Sequence, residues 1–191
     1  MKKAFLVLAA VLFLFQRADA CVGKTLNIGA LNSPEGQVLA EMLSTLINER
    51  TGTTANVKLY KSTQELYEAV RAKQLDILIE NTAMAMHVLN KPFEGDARKA
   101  YEVVKAGYEK EKGLVWLKPF GFVNGNGGHP SYTAAVLRDE VLNNFPALPR
   151  VIGKLGGAIN DEANSRMIKS VEAGEKPHKV ARDFLKSRKL I

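Results

Sequence analysis

The sequence predicts an α/β lobe in three layers, a mixed five-stranded sheet with helices on both faces. Three observations predict it. Short apolar strands alternate with amphipathic helices through the first half of the chain, as in the crossover units of a parallel sheet. The third strand, Leu75 to Ile79, is mostly apolar, as a strand covered on both faces must be. A glycine and asparagine run, Asn124 to Gly128, joins two extended segments, and residues that tolerate positive φ between strands signal a hairpin.

The elements follow in order. Thr25 to Gly29 is a short alternating strand. Asn32-Ser33-Pro34-Glu35 then opens a helix, with Ser33 as its cap and Pro34 where no N–H is needed. Val38, Leu39, Met42, Leu43, Leu46 and Ile47 fall on one face of it, and Gly52 ends it. Ala55 to Tyr60 is the second strand, with Val57 and Leu59 on one side. Ser62-Thr-Gln-Glu65 is a capping box for a helix burying Leu66, Ala69 and Val70. After the third strand, Asn81 to Leu89 is helical until Pro92, and Asp96 to Lys112 is a long amphipathic helix. Leu114 to Val123 is the fourth strand, bent at Pro119, and Ser131 to Val141 the fifth, its antiparallel neighbour. The remainder is helical: Phe145 to Leu155, a helix capped by Asn160 or Asp161 and ending near Gly174, and one beginning near Pro177.

The first twenty residues belong to no fold. Lys2 and Lys3, the apolar stretch Ala4 to Phe15 and the exit Ala18-Asp19-Ala20 make a secretory signal peptide, so residues 21–191 are expected to form one exported lobe in the periplasm. Cleavage after Ala20 would leave Cys21, the sole cysteine, at the new terminus, but Arg17 and Asp19 disfavour a lipid-anchor signal. Without a second cysteine the fold rests on its core. The formal charge of +7 falls to +5 once Lys2, Lys3, Arg17 and Asp19 leave. The remaining lysines alternate with acids, as in Glu109-Lys110-Glu111-Lys112, and form no basic stripe for nucleic acid.

The chemistry of catalysis is thin. His87, His129 and His178 lack metal-ligand spacing, and no G-x-S-x-G is present. Glu80, directly after the third strand, could serve as a general acid or base, bond backbone N–H groups, or hold a ligand. Asn32, Ser33, Ser62, Asn81 and Thr82 lie at the C-terminal ends of the three parallel strands, where open α/β sheets place ligands. With Glu80 they are the candidate ligand-binding residues; capping also accounts for Ser33 and Ser62. Trp116, early in the fourth strand, is assigned to the core and not to an aromatic cage. No enzyme activity, cofactor or metal is expected.

Leu26-Asn-Ile-Gly29, Glu35-Gly-Gln-Val-Leu-Ala-Glu-Met-Leu43, Ser62-Thr-Gln-Glu-Leu-Tyr-Glu-Ala-Val70 and Leu75-Asp-Ile-Leu-Ile-Glu80 occur in an order that resembles the glycine betaine, choline and osmoprotectant substrate-binding proteins of ABC transporters. Phe145-Pro-Ala-Leu148, Leu155-Gly-Gly-Ala-Ile159 and Val180-Ala-Arg-Asp-Phe-Leu185 extend the resemblance to the end. It implies a type II periplasmic binding protein that captures a small quaternary-amine-like solute for an ABC transporter permease. Relatives have two lobes. Here the hairpin stands where the chain would leave for the second, which implies a single lobe with sheet order 2-1-3-5-4 and the last strand antiparallel. Such a lobe could work as a homodimer, or as an interaction or regulatory protein that has lost its solute. Glu80-Asn81-Thr82 stands where many relatives have Glu-Tyr-Thr, and Leu31-Asn32 where they often have an aromatic, so an aromatic cage is missing on this side.

Overall fold

The computed structural model describes residues 24–93, 95–124 and 129–191. The segment 1–20 expected to be a signal peptide, Cys21 and the glycine-rich run 125–128 lie outside the described residues. Among those described, the elements run β1 (Leu26–Leu31), α1 (Pro34–Thr51), β2 (Ala55–Tyr60), α2 (Thr63–Arg71), β3 (Ile77–Asn81), α3 (Thr82–Val88) and α4 (Ala97–Lys112). Then come β4 (Leu114–Trp116), β5 (Val123–Asn124), β6 (Ser131–Arg138), α5 (Asp139–Asn144), α6 (Leu148–Ile152) with a 3-10 turn at Gly153–Leu155, α7 (Asp161–Glu172) and α8 (Pro177–Ser187).

The sheet order is β2-β1-β3-β6-β4. β1 is parallel to β2 and β3, whereas β6 is antiparallel to β3 and β4. With β6 as the fifth predicted strand, this is the expected order and direction. The fourth predicted strand is divided. β4 stops at Trp116, Leu117 and Phe120 still donate to the Ala135 and Thr133 carbonyls, and β5 rejoins β6 through Val123 and Asn124. Between them Pro119 brings no N–H, and Gly121 takes φ 122° with the Gly157 Cα and Ile159 carbonyl oxygen within 2.7 Å of where a Cβ would stand.

Local signals placed the helix ends. Ser33 Oγ accepts from the Gly36 N–H at 3.1 Å, Pro34 begins α1, and Gly52 closes it at φ 70°. Strand alternation then splits the core in two. Ile77, Ile79, Ala135 and Leu137 face α1, α6, α7 and α8, while Leu78, Ala134 and Val136 face α2, α3 and α4. Trp116 is buried in the second layer, edge-on to Tyr108 and Tyr101, as its assignment to the core required.

Four boundaries differ from expectation. β3 begins at Ile77, after a bend at Asp76 whose backbone still donates to the Asn27 carbonyl and accepts from the Arg138 N–H, while its carboxylate accepts from the Asn27 N–H at 2.8 Å and pairs with Arg138 at 2.7 Å. The strand therefore reaches Asn81, and Glu80 lies within it. β6 ends at Arg138 and its last predicted residues wind into α5, which starts where the Asp139 N–H meets the Gly113 carbonyl. The helix expected over 145–155 contracts to α6 and the 3-10 turn, since Pro146 keeps Phe145 out of helical geometry at φ −134°. Leu59 is 43% exposed while Val57 packs inward on β2, the edge strand of the sheet. Among the described residues no helix is long and apolar enough to cross a membrane.

Candidate functional site

The C-terminal ends of β1 and β3 meet the start of β6 at one edge of the sheet. α1 leaves that edge over one face and α2 covers the other, so the loops part and a cleft of about 330 Å³ opens between them. Ser33 and Glu35 enter it from the start of α1, Glu80 and Asn81 from the end of β3, Asn124 from β5 and Glu172 from the end of α7.

Glu80 is the buried group of this cleft, 4% exposed. Its position in β3 fixes its backbone, and two uncharged donors fix its carboxylate. The Tyr67 hydroxyl donates to Oε2 at 2.8 Å, and the Asn81 N–H donates to Oε1 at 2.8 Å. Tyr108 donates in turn to the Tyr67 oxygen, whose own proton is already committed to Glu80. Burial pushes the Glu80 carboxyl up to about 7, against the downward pull of both hydrogen bonds. Burial, followed by the nearby Glu80 charge, raises both tyrosines well above their ordinary range, so they remain phenols and keep their protons.

Glu35 sits in the first turn of α1, where the helix N-terminus suits an acid. Its Oε1 accepts from the Asn124 amide at 2.8 Å and its Oε2 from the Asn164 amide at 3.5 Å. The Asn124 amide also reaches Thr133 Oγ1, which ties β5 to β6 at the rim. Among the described residues, three carboxylates thus line the cleft, and no Lys, Arg, His or aromatic side chain does.

Of the six residues expected at the site, the structure brings Ser33, Glu80 and Asn81 together. Ser33 and Asn81 spend their side-chain acceptors on caps, Asn81 Oδ1 taking the Met84 N–H at 2.9 Å. The other three lie outside this cleft's lining. Asn32 is exposed outside the cleft lining and accepts from the Gln37 amide. Thr82 is fully buried, and its hydroxyl oxygen accepts from the Tyr132 N–H at 3.0 Å, which locks α3 to β6. Ser62 lines a different cavity, because α2 carries it to the opposite face; it caps that helix through the Glu65 N–H. That second cavity, about 920 Å³, is bounded by α2, α3 and the end of α4. Among its lining charges, Lys73 pairs with Glu140 at 2.6 Å, and Arg138 pairs with Glu140 and with Asp76 behind it. Sequence reasoning missed Glu35, Asn124 and Glu172. Glu35 could have been found, since an acid in the first turn of α1 shares an edge with Glu80; the other two enter only through tertiary packing.

A cleft at the C-terminal ends of parallel strands is where open α/β sheets bind small ligands, and this lobe is built as a ligand-binding one. Residues 24–127 match the family profile "Substrate binding domain of ABC-type glycine betaine transport system". The chain belongs to that family, the solute-binding components of ABC uptake systems. It is 28% identical over 138 residues to the ergothioneine transport permease/ergothioneine binding protein EgtU of Helicobacter pylori (strain G27). The match covers 71% of this chain and 23% of that relative's length. Among solved structures, a glycine betaine/carnitine/choline ABC transporter protein superposes with a TM-score of 0.76 at 17% identity, over 87% of this chain and 98% of that one. Apo YehZ from Escherichia coli superposes at 0.74 and 14% identity, over 88% of this chain and 100% of that one.

Proposed function

We propose that this chain acts outside the cytoplasm as the solute-capturing component of an ABC uptake system, holding a small organic solute in the cleft beside Glu80 for delivery to a permease. The cleft carries this reading: in a chain of this family, it lies where open α/β sheets bind ligands, with a buried ionisable group at its floor. The residues we assign to the solute are Ser33, Glu80 and Asn81, together with Glu35 and Glu172; catalysis is no part of the reading. Export by the segment 1–20 puts the protein in the periplasm. Calorimetric titration of the purified protein with cationic, zwitterionic, neutral and anionic solutes tests it, and absence of heat with every class would refute it.

One lobe leaves the cleft open, and Val123, next to the lining residue Asn124, is 42% exposed. This favours a second reading, in which a partner protein covers the cleft and no solute is held. Recovery of a stoichiometric partner by a protein that binds no solute would select it. A homodimer closing cleft to cleft would set Glu35, Glu80 and Glu172 against their own copies, an arrangement that like-charge repulsion opposes. Sedimentation is therefore expected to give a monomer without solute.

A further inference from the structure

The solutes named in the relatives' descriptions include zwitterions with a fully methylated nitrogen, yet the lining here suits a different nitrogen. A quaternary ammonium has no N–H to donate and is held by aromatic faces. None of the residues lining this cleft is aromatic. A ligand carboxylate needs a cation or a cluster of donors, and no Lys, Arg or His lines the cleft either. The lining instead offers acceptors. Glu80 uses one lone pair on each oxygen for Tyr67 and Asn81, and a carboxylate has about four acceptor sites, so roughly two remain.

We propose that the cleft selects small protonated amines, which bring both positive charge and N–H donors, with Glu80 as the buried carboxylate that receives them, and that it discriminates against quaternary and carboxylate-bearing solutes. This rests on reading the cleft as the solute site. The groups around Glu80 are the Tyr67 and Tyr108 hydroxyls from α2 and α4, Glu35 from α1 and Glu172 from α7; β6 supplies only the neutral Ser131 and Thr133. Among the described residues Glu80 therefore has no cation of its own. An ammonium ion arriving beside it supplies one and displaces its proton, so the proton and the amine compete for the same carboxyl. Because the empty protein holds that proton up to about pH 7, affinity rises with pH, by about tenfold between pH 6 and pH 8.

Ethanolamine, choline and glycine betaine separate the terms. Ethanolamine and choline share a hydroxyethyl arm and a positive charge, and differ in N–H against N–CH3. Choline and glycine betaine differ in alcohol against carboxylate. Titration calorimetry at pH 6 and pH 8 should show ethanolamine bound at least tenfold more tightly than choline at pH 8, and glycine betaine weakest. Choline or glycine betaine binding as tightly as ethanolamine overturns the selectivity while leaving the solute-capture reading standing. Silence from all three and from neutral and anionic solutes removes both. In Glu80→Gln, ethanolamine affinity should fall at least tenfold and lose its pH dependence; a folded variant with unchanged affinity refutes the role of Glu80. Tyr67→Phe removes a donor that favours the ionised carboxyl, so the pH midpoint of binding should move up. A midpoint that stays in place also overturns the proposal.

Discussion

Glu80 makes the stability of the empty protein depend on pH in a direction unusual for a carboxyl. Its folded-state value is raised from 4.5 to about 7 by burial, so its contribution is fully present below pH 4.5 and is lost as pH rises through 7. The loss is on the order of 3 kcal/mol. Urea unfolding of wild type and Glu80→Gln at pH 5 and pH 8 isolates it: the variant should gain on wild type at pH 8 by roughly 1–3 kcal/mol. An equal difference at both pH values would show that Glu80 ionises normally. A steric limit sits nearby. A Cβ on Gly36 would stand 2.1 Å from the Leu31 carbonyl oxygen, where the first turn of α1 presses on the end of β1. Gly36→Ala should therefore cost about 1–3 kcal/mol in denaturant unfolding, against the gain that helix propensity alone gives. Gly153→Ala, with nothing within 4 Å of its Cβ, is the control and should be close to neutral. At this scale the sequence showed which side chain to watch but not what surrounds it. Glu80 stood out by following an apolar run, whereas Tyr67 and Tyr108, 13 and 28 residues to either side, look like ordinary amphipathic helix positions until the sheet brings them under it.

The helices were legible because their end signals are local. Ser33, Asn81, Asp96 and Asn160 each accept backbone N–H groups of the turn they precede, and each is recognisable from a few residues of sequence. Asn160→Ala should lower stability by about 1 kcal/mol, read as a shifted urea midpoint with an unchanged slope, through loss of its 2.9 Å bond to the Ala163 N–H. A neutral result would mean that solvent replaces the cap. The predicted capping box is formed one residue out of register: Ser62 takes the Glu65 N–H, but Glu65 returns to the Lys61 N–H. Strand ends were harder, since a strand stops where its partner or its side chains find something else. The third strand bends at Asp76, whose carboxylate pairs with Arg138, 62 residues away, and no local pattern records that pairing.

The whole molecule is one sheet with two separate apolar layers, and the hairpin signal with the strand pattern was enough to anticipate its order because topology rules leave few alternatives. The cleft was only half anticipated. Its edge followed from the strand directions, but its carboxylate character arises from α1, α7 and β3 converging on one point. That architecture sets how the lobe unfolds. β1, β3 and β6 contribute backbone to both layers at once, so neither layer can open without breaking the ladder that supports the other. Trp116, the sole tryptophan, lies in the second layer, whereas Leu43 is fully buried in the first. Leu43→Ala removes buried volume that the first layer cannot refill and should cost roughly 2–5 kcal/mol. If the sheet couples the layers, Trp116 fluorescence and far-UV circular dichroism will give one shared urea midpoint in wild type, and Leu43→Ala will lower both together. A fluorescence midpoint that stays put while the helical signal falls would show two independently unfolding layers, in which case perturbing the first face of the sheet would leave the Tyr67 and Tyr108 support beneath Glu80 intact.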